Sequence, residues 1–468
     1  MGQKNKIAAL LAGTALITTG LLPAIGQDAG VGEPAGGLSM TLGVSSTLRF
    51  NDNLSLSDPS PGDTTLWDNT VNFGLISDTD VAQFSLDLGA TARTASVPGQ
   101  DTETEIDEPS IRLGYHLESP DTLLDAELRY RRVSLDFEDP LAGIDDLIDA
   151  GLEPGDLDPS DGKRARYNAA LSFETGRTRP FGFGTVLEYD KTEYWDTTDP
   201  GNYDEETTAA EVFARLQFSP VMESRIAVDW EQYDAQDAAN TTRETWGVTA
   251  SLTYEIDPIT RTTASIGYTE VDERSLLGSS LEDGVTGGLS VTRDIPTGSV
   301  TAALSTDINT TGRRDTFEVL GDFETPSGFI NASLGATRLN QGDVNVIGSL
   351  GYSHELTLGT VFTATLDRTY DATDAGVESR STRASLGLDT ELTRSASVGL
   401  ELDYAEVTDV VADTKTAVSG LRATYTHELT PDWDVLAGYE YRKREETGGT
   451  DRESNELFLT VTREFSIR

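Results

Sequence analysis

"WGVTASLTYEI", residues 246–256, decides the fold. Trp246, Val248, Ala250, Leu252, Tyr254 and Ile256 are apolar, and Gly247, Thr249, Ser251, Thr253 and Glu255 stand between them. A strict period of two is an extended strand with one apolar face and one hydrated face. The apolar face must be covered by a second sheet of a soluble protein or by the hydrocarbon of a membrane.

The same alternation recurs along the chain. In "LLDAELRY" Leu124, Ala126, Leu128 and Tyr130 oppose Asp125, Glu127 and Arg129; in "SVGLELDY" Val398, Leu400, Leu402 and Tyr404 oppose Gly399, Glu401 and Asp403. "IRLGYHL" sets Ile111, Leu113, Tyr115 and Leu117 against Arg112, Gly114 and His116. Tight connections at Pro120, Pro180, Pro220, Pro258, Pro296, Pro326 and Pro431 alternate with longer acidic ones such as "DATDAGVES". Proline presets a turn and cannot donate to a central ladder. From Pro180 to Pro220, Pro258 and Pro296 the step is about 38 residues, one hairpin of two long strands. The segments number about 22, within a range of about 18 to 22.

Soluble strands cluster near 5–6 residues, whereas these run to about 10–14. Eleven residues tilted near 40° rise about 28 Å, close to the hydrocarbon thickness. Trp67, Trp195, Trp230 and Trp246 fall at long-loop ends, with Trp433 at a tight-turn end; Tyr194, Tyr233, Tyr370, Tyr404 and Tyr441 also lie toward outer ends. Aromatics at both ends of an apolar band suit the two membrane interfaces. The expected fold is all-β: an antiparallel transmembrane up-and-down β-barrel without a plug domain, its tight turns and both termini on the periplasmic side.

The rest of the chain fits export. Lys4 and Lys6 precede the apolar "IAALLAGTALITTGLLPAIG", and Ala24 and Gly26 suit cleavage before Gln27. We read residues 1–26 as a secretory signal peptide, 27–37 as a flexible leader and 38–468 as the barrel, with a long acidic loop at 138–162. There is no cysteine, which excludes a thiolate metal site. The 80 acidic against 35 basic residues give a net charge of −45, which excludes nucleic acid as a partner. The final "NELFLTVTREFSIR" resembles the C-terminal strand read by the barrel-assembly machinery. It departs from that pattern where Arg463 interrupts the apolar face and where Arg468, not an aromatic, ends the chain.

"LRFNDNLSLSD", with its Asp52-Asn53 pair, is followed by "LWDNTVNFGLIS" and "AQFSLDLGATAR". These stretches resemble the N-terminal hairpins of proteobacterial barrels of the family called putative beta-barrel porin 2. The resemblance implies an outer-membrane barrel with a transport role and carries over no catalytic residue.

Candidate sites are few. His116, His354 and His427 lie at strand ends beside tight turns, on the expected strands 4, 16 and 20, and form no catalytic cluster; we expect no enzyme activity. Arg93, Arg112, Asp125, Glu127, Arg129, Arg131, Asp229, Glu231, Glu401 and Asp403 are expected to face the lumen, where opposite charges polarise water and orient charged solutes. In the loop, Asp156, Asp158 and Asp161 place oxygen ligands close together, so Ca²⁺ is the one cofactor considered; a solvated loop, or one that folds inward to narrow the lumen, is the alternative. Expected partners are outer-membrane lipids, the assembly machinery and small hydrophilic solutes.

These features lead to an outer-membrane porin-like channel for passive diffusion with a preference for cations, or alternatively a barrel for surface polysaccharide export or envelope biogenesis. A TonB-dependent receptor is set aside, because its plug needs over a hundred residues and the leader has about eleven. Substrate, pore size, gating and oligomeric state are not encoded in any pattern read above.

Overall fold

The computed structural model describes residues 37–138, 157, 160–340, 342–373 and 376–467. The stretches read above as signal peptide and leader, but for residue 37, and most of the 138–162 loop lie outside the described residues.

The strands follow in chain order: β1 (Gly37–Asn51), β2 (Thr64–Asp78), β3 (Ala82–Ser96), β4 (Glu103–Glu118), β5 (Thr122–Ser134) and, after a 3-10 turn at Leu135–Phe137, β6 (Lys163–Thr175). Next come β7 (Phe181–Trp195), β8 (Glu205–Ser219), β9 (Met222–Ala235), β10 (Thr242–Asp257), β11 (Thr260–Ser275) and β12 (Gly278–Ile295). They continue with β13 (Gly298–Asn309), β14 (Gly312–Thr325), β15 (Gly328–Leu339), β16 (Val344–Thr357) and β17 (Thr360–Ala372). The last are β18 (Glu378–Thr393), β19 (Ala396–Asp409), β20 (Thr414–Thr430), β21 (Trp433–Glu446) and β22 (Arg452–Ile467). Each pairs antiparallel with its sequence neighbours, and β1 pairs with β22, closing a 22-stranded barrel. The strands have 12 to 18 residues, longer than the sequence suggested. The excess lies in their loop-end halves, where alternation continues with charged residues and reads as loop.

Alternation decides which way each side chain points. On β10 the even-numbered Trp246, Val248, Leu252, Tyr254 and Ile256 are each 41–54 % exposed. The register carries this face around the barrel: Val248 lies beside Val228 and Tyr268, and at the closure Leu48 lies beside Trp67 and Leu459. This outward band is an apolar surface far larger than a soluble monomer leaves uncovered. The opposite face is the interior. Leu157, from the β5–β6 connection, is fully buried against Ala405, Val407 and Val418, on the faces of β19 and β20 that also carry Glu401, Asp403 and Arg422. A contact from that connection to β19 and β20 crosses the barrel, so at Leu157 the loop turns inward.

The two ends differ. Buried interior side chains concentrate at the long-loop end: Asp68, Arg93, Asp107, Arg243, Arg314, Val407 and Arg442 all lie there. Tyr233, read above as an outer-end aromatic, turns inward instead, is 2 % exposed and carries the Arg243 guanidinium 4.5 Å over its ring. Beyond Arg368, β17 pairs only with β18, and Glu378 at the start of β18 accepts two hydrogen bonds from Arg314 of β14, at 2.7 and 2.8 Å. At the tight-turn end the interior is open. Six even-numbered strands, β4, β10, β16, β18, β20 and β22, finish there on an exposed, inward acid: Glu118, Glu255, Glu355, Glu391, Glu428 and Glu464. The backbone N–H of each donates to a carbonyl of the preceding turn over 2.7–3.3 Å, so the turns are tied in sequence around the rim. Bulges at Glu255/Asp257, Glu355/Thr357, Glu391/Thr393 and Glu428/Thr430 recur there, a device that sharpens twist where pairing stops.

Candidate functional site

The best-formed interior site straddles the seam where β1 meets β22. It begins with a bulge. Glu108 and Pro109 on β4 oppose the single residue Ala90 of β3, and Glu108 takes a positive φ of 51°. Proline inside a strand is tolerated where the ladder is interrupted. The bulge aims Asp107 and Glu108 at Arg93. That guanidinium is 1 % exposed and uses Nε to Asp68 (2.8 Å), Nη1 to Asp107 (2.5 Å) and Nη2 to Glu108 (2.9 Å), with its carbon 5.1 Å from the Phe137 ring. Arg49 donates to the same Asp68 from the next strand. A buried guanidinium is tolerable only when its fork is satisfied in this way.

Across the seam, Arg442 lies 3.4 Å from Glu440 and 3.9 Å from Glu456, and Asn51 donates to Glu456 at 3.1 Å. Arg422 lies 5.1 Å over the Phe458 ring and 3.9 Å from Glu440, and its side chain is 46 % exposed. Between the two groups is a cavity of about 270 Å³ lined by Arg49, Arg93, Arg422, Arg442, Phe137 and Phe458 together with Asp68, Glu108, Glu440 and Glu456. Its cations and carboxylates are matched four to four, although the chain as a whole carries −45. Chemically this is a polar recess with two aromatic walls, three guanidiniums locked in ion pairs or burial, and one, Arg422, reaching into the open space.

Of the residues singled out in the sequence, Arg93 is central to this site. Arg112, Glu127 and Arg129 form a separate ladder on β4 and β5, with both arginine Nε atoms donating to Glu127 Oε1 at 2.8 and 2.6 Å. Asp125 sits 2.5 Å from His116 Nδ1 on the same wall, and Arg131 pairs in register with Ser110 and Arg166. Asp229 and Glu231 lie on β9, away from these; Glu401 and Asp403 lie on β19, with Glu401 in register with Arg422. His354 and His427 face outward, each stacked on a tyrosine two residues before it. Of the Ca²⁺ candidates, Asp156 and Asp158 lie outside the described residues. Asp161 accepts hydrogen bonds from the Thr198 N–H and from the Thr197 and Thr198 hydroxyls, which hold its carboxyl below the usual aspartate range. Among the described residues no group of three or more acidic or histidine side chains is arranged to hold a metal. Sequence reading missed Arg49, Asp68, Asp107, Arg422, Arg442 and Phe458. The Pro109 interruption in "IDEPS" was the one local signal for part of this set.

No protein-family model and no curated protein matches the sequence, so the porin family suggested above is not shown. Solved structures do match. The FrpB iron transporter from Neisseria meningitidis has a TM-score of 0.56 at 11 % identity, over 91 % of this chain and 81 % of its own. A ferric enterobactin receptor from Pseudomonas aeruginosa, a mutant solved in complex with enterobactin, has a TM-score of 0.55 at 10 % identity, over 92 % and 82 %. The copper transporter OprC has 0.53 at 11 %, over 92 % and 81 %. This is an outer-membrane β-barrel. The expectation of a passive, cation-preferring channel or an export barrel is corrected here. The barrels that share this fold are named for specific ligands, and among the described residues the interior wall at the loop end is lined by buried, ion-paired side chains.

Proposed function

We propose that this barrel is a ligand-selective outer-membrane transporter, and that the seam cavity is where the ligand is chosen. The observation that carries the reading is Arg422, a half-exposed cation stacked on Phe458 whose nearest carboxylate, Glu440, stands 3.9 Å away, at the outer limit of an ion pair. A planar, acidic-oxygen ligand of small size would lie against the aromatic walls and take the Arg422 fork, as guanidinium suits flat anionic groups. Metal chelates of that chemistry are the class to try first, since a fold neighbour is named a receptor for ferric enterobactin. In this reading no separate plug domain is required. Inward side chains, Leu157 among them, line the loop end, and the interior rows from Arg112 to Glu127 and from Glu401 to Asp403 guide the solute onward.

The test is a titration of purified protein with small planar acidic-oxygen chelates, ferric complexes of a single catecholate or citrate among them, read by intrinsic fluorescence, beside planar-bilayer recording. We expect saturable binding, about tenfold weaker in Arg422→Gln, the loss of one charge-assisted contact. Stable ohmic conductance from wild-type protein, or an Arg422→Gln variant that binds every chelate tried as the wild type does, would overturn it.

A further inference from the structure

Arg463 is the cation that broke the apolar pattern of the last strand, and the transport reading leaves it unused. On β22 it shares the outward face with Val461 and Phe465. Its register partners are Trp433 on one side and Val44 on the other, so every neighbour on that face is apolar or aromatic. The guanidinium carbon lies 4.3 Å from the Phe465 ring centre and 5.1 Å from that of Trp433. Among the described residues it makes no ion pair, and its Nε is buried without an acceptor.

Outward cations at the other end of the barrel are treated differently. Lys191 has Glu193 at 2.6 Å, Arg338 has Asp315 at 3.1 Å, and Lys415 has Glu406 at 2.9 Å. A charge on the lipid side of a barrel is costly unless it is near an interface and compensated. Arg463 is near one: Trp433 opens β21 directly after a tight turn, the level at which aromatic girdles and lipid phosphates meet. Among the described residues nothing supplies the compensation.

We propose that Arg463, framed by Trp433 and Phe465, is a binding site for the phosphodiester of an anionic phospholipid in the periplasmic leaflet. The two rings hold the guanidinium plane by cation–π contact and leave its outer edge for the phosphate oxygens, a geometry that lysine does not reproduce. The lipid is then the counter-ion that the described residues do not provide.

The experiment is native mass spectrometry of protein released from vesicles of phosphatidylethanolamine and phosphatidylglycerol. Wild-type protein should retain phosphatidylglycerol above its share in the vesicles. Arg463→Gln should lower that retention about tenfold, and Arg463→Lys should fall between. Arg261→Gln removes a charge from the interior face at the same end and should change nothing. Excess inorganic phosphate should not displace the adduct, which separates a lipid site from a site for free phosphate. Barrel formation is checked by heat-modifiable gel mobility. Should Arg463→Gln fail to assemble, the wild-type enrichment decides alone: adducts in simple proportion to vesicle composition overturn the proposal. Equal retention by Arg463→Gln, equal loss in Arg261→Gln, or displacement by phosphate does so as well.

Discussion

A single side chain feels which face it occupies. Leu252 points into the outward band, and Thr253 points inward between Glu223 and Thr263. Leu252→Arg should therefore cost about 2–4 kcal/mol if hydrocarbon covers it, while Thr253→Arg gains Glu223 as a partner and should be near neutral. Urea unfolding from vesicles measures both, and equal costs would contradict the facing. Arg93 makes the opposite case. Arg93→Ala leaves Asp107 buried without its cation and Asp68 with Arg49 alone, and should destabilise by about 3–5 kcal/mol. Adding Asp107→Leu should restore part of that loss, because the unpaired charge is what costs most. The facing of Leu252 was legible in the sequence, since period two needs only neighbours in the chain. The environment of Arg93 was not, because its three carboxylates come from β2 and from a bulge on β4.

At the scale of one hairpin, the recurring unit is a strand that ends on an acid, an outward apolar residue and a hydroxyl. "ELT" occurs at 355–357, 391–393 and 428–430, each time at a tight-turn bulge. The repeat stands in plain view in the sequence, but its meaning depends on the register shift, which composition does not reveal. The long-loop connections follow no such repeat and hold by individual clamps. Asp161 ties the foot of β6 to the β7–β8 connection through Thr197 and Thr198. Those donors depress its pKa, so the clamp contributes fully above the unfolded aspartate value near 3.9 and is lost as pH falls through the lower folded value. We expect the Thr198 amide resonance to titrate with a midpoint below about 3.9; a midpoint at or above the ordinary aspartate value would show that the clamp does not form.

For the whole molecule the decisive event is closure. Strand number and antiparallel order could be read from alternation and turn spacing, both local properties. The seam cavity could not, because it brings together residues as distant as Asn51 and Glu456, 405 positions apart. Until β1 meets β22, no pattern along the chain marks Arg422 and Arg93 as walls of one recess. The same closure makes the pairing cyclic, so neither terminal strand is left with an open edge. Loss of the seam pair Thr47–Thr460, whose hydroxyls lie 2.9 Å apart, should be tolerated, since the backbone ladder on either side persists. Thr47→Val with Thr460→Val should keep heat-modifiable mobility and unfold within about 1 kcal/mol of wild type.

The ladder that links each tight turn to the one before it also has a consequence in time. Backbone amides held in a ladder that runs from the first tight turn to the last, stopping at the seam of β1 and β22, open only when several hairpins move together, whereas clamps made by single side chains open one by one. Deuterium should therefore enter the loop end within the early phase of exchange and reach Glu355, Glu391 and Glu428 last. The barrel would then breathe from one mouth only, and the slow rim would set the clock for every motion that runs its full length.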